Sequence, residues 1–131
     1  MFSHVFLATR DFERALAFYR PLLALLGVTE RFCDLSQGWA GWQSTPGPRP
    51  LLVLGKPFEG EHEPGNGQMV ALLATSRALV DQAHALALVQ GGRCEGPPGL
   101  RPHYHPNYYG AYFRDTEGNK LCVACHDAPQ P

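Results

Sequence analysis

Tyr108-Tyr109-Gly110-Ala111-Tyr112-Phe113-Arg114-Asp115-Thr116-Glu117-Gly118-Asn119-Lys120-Leu121-Cys122-Val123 carries the clearest structural signature in the chain. Its aromatic residues favour a half-buried pleated surface. Asp115 suits the first position of a type I turn, and Gly118 can take the left-handed conformation that closes a short loop. The stretch therefore reads as two strands joined by a tight turn. Side chains alternate across a strand, so Tyr108 and Tyr109 must present one ring to each face.

Upstream, the same order of elements occurs twice. Residues 3–9 alternate as a short strand, and Asp11 offers an N-cap. An apolar stripe at three- and four-residue spacing (Phe12, Ala15, Leu16, Tyr19, Leu22, Leu23, Leu26) then predicts a helix over 11–26, kinked at Pro21 and stopped by Gly27. Residues 29–35, 39–44 and 50–54 form three short apolar stretches between Gly- and Pro-bearing turns. Gly55 to Gly67, rich in Pro, Gly and Glu, reads as a surface connection. A strand over 68–73 and a helix over 76–90, ended by Gly91-Gly92, restart the pattern. Arg93 to Gly96 reads as a strand, Gly96-Pro97-Pro98-Gly99 as a turn, and the aromatic hairpin closes the unit. Sliding the sequence by 65 places lays Met69-Val70 over His4-Val5 and Gly92 over Gly27. The order repeats although the letters do not. We therefore expect an α+β chain with a single domain over 1–131: one β-α-β-β-β module over about 1–55, a linker over 56–66, and a second module over about 67–127.

Composition narrows the function classes. The 131 residues, 44% of them apolar, can bury one core. Eleven basic and twelve acidic residues without a run of either sign give no footprint for nucleic acid or an anionic membrane. The N-terminus has neither the basic segment nor the apolar core of a signal peptide, so a cytoplasmic protein is expected. Cys33, Cys94, Cys122 and Cys125 are then expected to be reduced thiols and not a disulfide framework, with Cys122 and Cys125 read as buried structural residues. Cys122-Val123-Ala124-Cys125-His126 has the form of a haem attachment sequence. Residues three apart on a strand point to opposite faces, however, which argues against both haem and a CxxC metal site.

The hairpin's Arg-Asp-x-x-Gly-Asn-x-Leu, the opening His4-Val5-Phe6-Leu7 with Asp11-x-x-Arg14-Ala15-x-x-Phe18-Tyr19 and Leu26-Gly27, and Gly65-Asn66-Gly67 before the central strand together resemble the glyoxalase/bleomycin-resistance/extradiol-dioxygenase (vicinal oxygen chelate) superfamily. The resemblance covers nearly the whole chain. It implies that the two modules curl their mixed sheet around a small-molecule cup, with the helices on the convex side, and that the chain forms a homodimer.

In metal-dependent members of that superfamily each module supplies two ligands, typically His and Glu. Here the four positions fall on His4, near Leu54, on Met69 and on Cys122, and only His4 matches. A thioether is a poor partner for a hard divalent ion. The family's four-ligand metal is therefore not expected. Zinc through His4, Cys122 and an imported histidine is the one plausible ion, and His103-Tyr104-His105 offers two imidazoles. The expected ligand site is an aromatic cup with a cation, built from His4, Trp39, Trp42, Arg101, His103, Tyr104, His105, Tyr108 and Tyr109, which suits a flat acidic ligand. Two readings follow: a metal-free protein that binds a small aromatic or carbonyl-bearing acid, or a metal-dependent lyase, isomerase or dioxygenase using His4 and a non-standard ligand set.

Overall fold

The structure, a computed structural model, describes residues 1–129. The first module contains β1 (His4–Ala8), α1 (Phe12–Leu25), β2 (Thr29–Asp34), β3 (Trp39–Gln43) and β4 (Leu51–Gly55). The second contains β5 (Val70–Leu73), α2 (Arg77–Val89), β6 (Arg93–Leu100), β7 (Tyr109–Arg114) and β8 (Lys120–Cys125). Each module forms its own four-stranded mixed sheet, in the order β1-β4-β3-β2 and β5-β8-β7-β6. In each sheet the first and last strands of the module pair in parallel and the remaining pairs are antiparallel. The duplication legible as a repeated order of elements is thus also a duplication of topology.

The two helices begin and end alike. Asp11 and Ser76 cap them, each side chain accepting a backbone N–H three residues on, at 3.2 Å. At the C-terminus of α1, Val28 N–H reaches Leu23 C=O and Gly27 N–H reaches Ala24 C=O, with Gly27 at φ 76°. The end of α2 repeats this pattern with Gly92 to Ala87, Gly91 to Leu88, and Gly91 at φ 101°. Both are Schellman motifs, which need a left-handed residue after the cap. Gly92 serves a second purpose, since a Cβ there would lie 2.7 Å from the Arg114 carbonyl and 2.8 Å from that of Ala87.

The apolar stripe of α1 is buried against the sheets: Ala15, Leu16, Phe18, Tyr19, Leu22 and Leu23 are each at most 5% exposed. It shares one core with Ala40, Trp42, Leu52 and Leu54 of the first sheet and Ala111, Phe113, Leu121 and Val123 of the second. Both helices therefore cover the same side, and the other face of each sheet is left open.

Two expectations change. Gly96-Pro97-Pro98-Gly99 is not a turn but the middle of β6, which pairs Gly96 with Tyr112 and Gly99 with Gly110. β6 is an edge strand, so prolines that lack an N–H cost it little, and two register shifts absorb the extra residues. The connection over 56–66 is also more than a surface loop. His62 is buried, its Nε2 3.2 Å from the Glu117 carbonyl, and Arg114 donates to the Gly65 carbonyl at 3.2 Å.

The β7–β8 turn fastens the modules together. Gly118, at φ 87°, closes it, with Asp115 and Asn119 bonded across its base. The Glu117 carboxylate, almost fully buried, accepts the backbone N–H groups of Arg10 and Asp11, both at 2.7 Å, and Arg10 Nε at 3.3 Å. It thereby places a negative charge at the start of α1, where the helix dipole favours one. Asp115 accepts the Tyr19 hydroxyl at 2.5 Å, the Glu117 and Asn119 N–H groups at 2.8 Å and Asn119 Nδ2 at 3.0 Å. Asn119 Nδ2 also donates to the Ala8 carbonyl at 3.2 Å. The Arg-Asp-x-x-Gly-Asn motif is therefore a clasp between modules.

Candidate functional site on the open face of the second sheet

Register decides which side chains reach the open faces. On β8, Leu121, Val123 and Cys125 belong to the core, which leaves Lys120, Cys122 and Ala124 for the open side. On β7, Ala111 and Phe113 are core residues, so Tyr112 lies beside Cys122 on the open side. Tyr108 approaches from the preceding loop, its hydroxyl 3.0 Å from that of Tyr112 and 3.5 Å from Cys122 Sγ. Two phenols and a thiol thus meet in one cluster.

Two cations flank that cluster. The Arg101 guanidinium lies 5.5 Å from the centre of the Tyr112 ring and Lys120 Nζ lies 5.9 Å from it. Arg101 is anchored by donating to the Pro97 carbonyl at 2.8 Å. Among the described residues neither cation forms an ion pair, whereas the nearby Arg114 and Arg93 are both occupied by Glu95.

Residues 101–108 form a compact loop closing the β6–β7 hairpin, with Arg101 N–H on Tyr108 C=O at 2.8 Å and Tyr104 N–H on Arg101 C=O at 3.0 Å. Its rings make a ladder. Centroids of His103 and Tyr104 lie 4.2 Å apart, those of Tyr104 and Tyr108 4.8 Å apart, and His105 stands edge-on to Tyr108 at 5.7 Å. Just beyond β8, His126 hydrogen-bonds His105 at 2.8 Å and meets Tyr108 edge-on. The Asn107 N–H donates to His105 Nδ1 at 3.1 Å, so the His105 proton sits on Nε2 and points at His126.

Proton affinities follow from burial. Removal from water raises the Tyr108 phenol well above its ordinary range, reinforced by its bonds to Tyr112 and Cys122. Burial likewise raises Tyr112 and the Cys122 thiol. At neutral pH the cluster is fully protonated. Three protons on two hydroxyls and a thiol serve two internal hydrogen bonds, which leaves one donor for a ligand.

The expected site residues separate into groups. Arg101, His103, Tyr104, His105 and Tyr108 do come together. Tyr109 turns the other way: its hydroxyl donates to Asp81 of α2 at 2.7 Å, so it belongs to the helix side. Trp42 is 1% exposed in the core beneath α1, while Trp39, three residues earlier, is 45% exposed on the open face of the first sheet with Phe32 at 4.6 Å. His4 stands exposed on edge strand β1 and bonds Ser3 Oγ at 2.9 Å. Among the described residues no hydrogen bond or ring contact joins it to Tyr108 or Cys122. Leu54 is a fully buried core residue, so the open-face positions of β4 are Leu51, Val53 and Gly55. Tyr112, named only among the hairpin's aromatic residues, and Lys120 and His126 were not assigned to the site from sequence. Even spacing from Tyr108 and Cys122 along the strands was the available signal for the first two.

Two cavities accompany these faces. One, of about 460 Å³, is lined by Phe6, Asp34, Trp39, Gly55 and Lys56 on the first sheet. The other, of about 520 Å³, opens between β1 and β5 and is lined by Val5, Leu26, Trp42, Leu52, Val70 and Leu72 among others. Among the described residues no charged side chain lines the second cavity.

The model of the Glyoxalase/Bleomycin resistance protein/Dioxygenase superfamily matches residues 1–123. The chain is similar to a glyoxalase/bleomycin resistance protein from Albidiferax ferrireducens T118, with 33% identity over 95% of this chain and 98% of that one and a TM-score of 0.84. Two more distant structures share the fold. One, a glyoxalase/bleomycin resistance protein/dioxygenase family enzyme from Burkholderia phytofirmans PsJN, is 17% identical over 95% and 98% of the chains, with a TM-score of 0.69. The other, a lactoylglutathione lyase from Agrobacterium tumefaciens, is 20% identical over 95% and 92%, with a TM-score of 0.65. No curated protein is matched.

Proposed function

The chain belongs to the glyoxalase/bleomycin resistance protein/dioxygenase superfamily, and from that membership we propose that it binds a small aromatic or carbonyl-bearing acid on the open face of its second sheet, without the family's four-ligand metal. The observation that carries this reading is the pair of cations, Arg101 and Lys120, that form no ion pair among the described residues and stand beside a phenol cluster with a donor to spare. Guanidinium and ammonium groups can hold a carboxylate, a tyrosine hydroxyl can bond a carbonyl, and the Tyr104–Tyr108 ladder can stack a flat body. Phenols held protonated donate hydrogen bonds and do not abstract protons at neutral pH, which favours binding over proton-transfer chemistry.

The donors at the family's metal positions do not fit its usual ion. His4 contributes an imidazole, Met69 a thioether, β4 only aliphatic side chains, and Cys122 a buried thiol bonded to Tyr108 whose proton burial retains. Among the described residues no three His, Cys, Asp or Glu side chains are grouped to hold a metal.

Benzoate, salicylate and phenylpyruvate are suitable probes. At a hundredfold excess over Kd, a binder adds about 2.7 kcal/mol of stability, which a thermal-shift assay reads directly. Arg101→Ala and Tyr112→Phe are expected to lose most of the shift while keeping the melting temperature of the free protein within a few degrees. Equal shifts in wild type and both variants would remove this face from consideration.

We also infer a homodimer. β1 and β5 each pair on one side only, and Phe6, Met69 and Leu73 are exposed on or beside these edges. Sedimentation should find the dimer at micromolar concentration, and a monomer throughout the high micromolar range would refute it.

A further inference from the structure

One reactive pair lies on the helix-covered side of the second sheet, away from the cup. Cys94 on β6 stands opposite Phe113 in register, and His84 on α2 places Nε2 3.2 Å from Cys94 Sγ. His84 is 8% exposed and meets the Phe113 ring edge-on at 6.2 Å, which fixes the imidazole plane. Cys94, by contrast, is exposed. Cys122 and Cys125 are enclosed, Cys33 is half-buried, and neither Cys33 nor Cys125 has an imidazole bonded to its sulfur among the described residues. A thiol that solvent can reach, bonded to an imidazole held by packing, is the arrangement that activates a nucleophile.

We propose that Cys94, with His84 as its proton acceptor, is a modification site that forms mixed disulfides with small disulfides. In the step, the Cys94 thiol proton passes to His84 Nε2 and the thiolate sulfur attacks one sulfur of the reagent. The reagent's S–S bond breaks as the new one forms, and the departing thiolate takes the proton back from His84. Cys94 is oxidised, and half of the reagent leaves as a reduced thiol. Burial keeps the free imidazole neutral and so able to accept the proton. The negative charge of Asp81, one turn earlier on α2, favours the imidazolium once formed. Arg93 and Glu95, the sequence neighbours of Cys94, pair with each other at 3.6 Å, and Glu95 also holds Arg114 at 2.8 Å.

Dipyridyl disulfide, whose released thione is coloured, tests this on the intact chain. Wild type should release a first equivalent in a fast phase, with peptide mass spectrometry placing the label on Cys94. Its rate should stay nearly flat between about pH 6 and 8, where an unassisted thiol of pKa near 8.5 slows tenfold per pH unit. His84→Gln should lower the rate at pH 7 about tenfold and restore the ordinary slope. The proposal is overturned by a simple unit slope in wild type, by first labelling at Cys33, or by a His84→Gln rate within twofold of wild type. The wild-type profile decides alone if that variant does not fold.

Discussion

Asp115→Ala is expected to lower the unfolding free energy by about 3–5 kcal/mol and the melting temperature by roughly 10–20 °C. The carboxylate is 5% exposed and accepts four hydrogen bonds, one from the Tyr19 hydroxyl, which has no contact with water. Alanine leaves that hydroxyl and two turn N–H groups without a partner in a place water cannot reach, and each orphan costs about 1–3 kcal/mol. The deletions are not additive, because the turn can relax once its acceptor is gone. Tyr19→Phe removes one donor and leaves the carboxylate the other three, so it should cost about 1–2 kcal/mol. A double-mutant cycle should return a large coupling between the two sites, and a coupling near zero would show that the clasp is not what holds the turn.

The same contact makes a prediction about alkaline stability. Burial and then the Asp115 charge raise the Tyr19 phenol well above its ordinary range, and burial raises Tyr108 and Tyr112. A folded-state pKa above the unfolded one contributes stability that is fully present below pH 10 and is lost as pH rises toward the folded value. Denaturant midpoints should therefore fall above about pH 10, the fully buried Tyr19 contributing up to about 1.4 kcal/mol per pH unit and the part-exposed Tyr108 and Tyr112 less, and Tyr19→Phe should shallow the slope by one proton.

Trp42→Ala is expected to cost about 3–5 kcal/mol and Trp39→Ala less than about 1 kcal/mol. The two residues have the same side chain, three positions apart on β3, so strand alternation sends them to opposite faces. Trp42 packs at 1% exposure into the core that α1 covers. It also lines the crevice between β1 and β5, so removing the indole enlarges a cavity that already exists. Trp39 lies on the open face against Phe32 and near Phe6, where water can occupy the space it leaves. Urea titrations measure both. Similar losses at the two positions would mean that the open face of the first sheet is covered, for instance by a second copy of the chain.

The parity that separates the tryptophans also explains how much of the site could be read in advance. Tyr108 and Tyr109 do turn apart, Tyr109 at the start of β7 toward Asp81 and Tyr108, in the loop just before it, toward Cys122. Cys122 and Cys125 separate by strand parity, one to the phenol cluster and one to the core. Absolute face, however, depends on where the helices dock. Trp42 and Tyr109 therefore looked as suited to a ligand as Trp39 and Tyr108. Leu54 misled in the same way, since it belongs to the row of β4 that the helix covers.

The sequence by itself determined the elements and their repetition, because apolar periodicity, N-caps and left-handed glycines are local: each acts through neighbours a few residues away. It also determined the family, through motifs whose order spans both modules. Tertiary structure alone decided what those motifs do. The turn residues Asp115, Glu117 and Asn119 find their partners at Ala8, Arg10, Asp11 and Tyr19, roughly a hundred residues back in the chain. His84 meets Cys94 only because a helix and an edge strand that follow one another are folded face to face. Hydrogen bonds and burial between distant segments leave no periodic trace in the chain, because no spacing rule links residues that meet only when the two modules close.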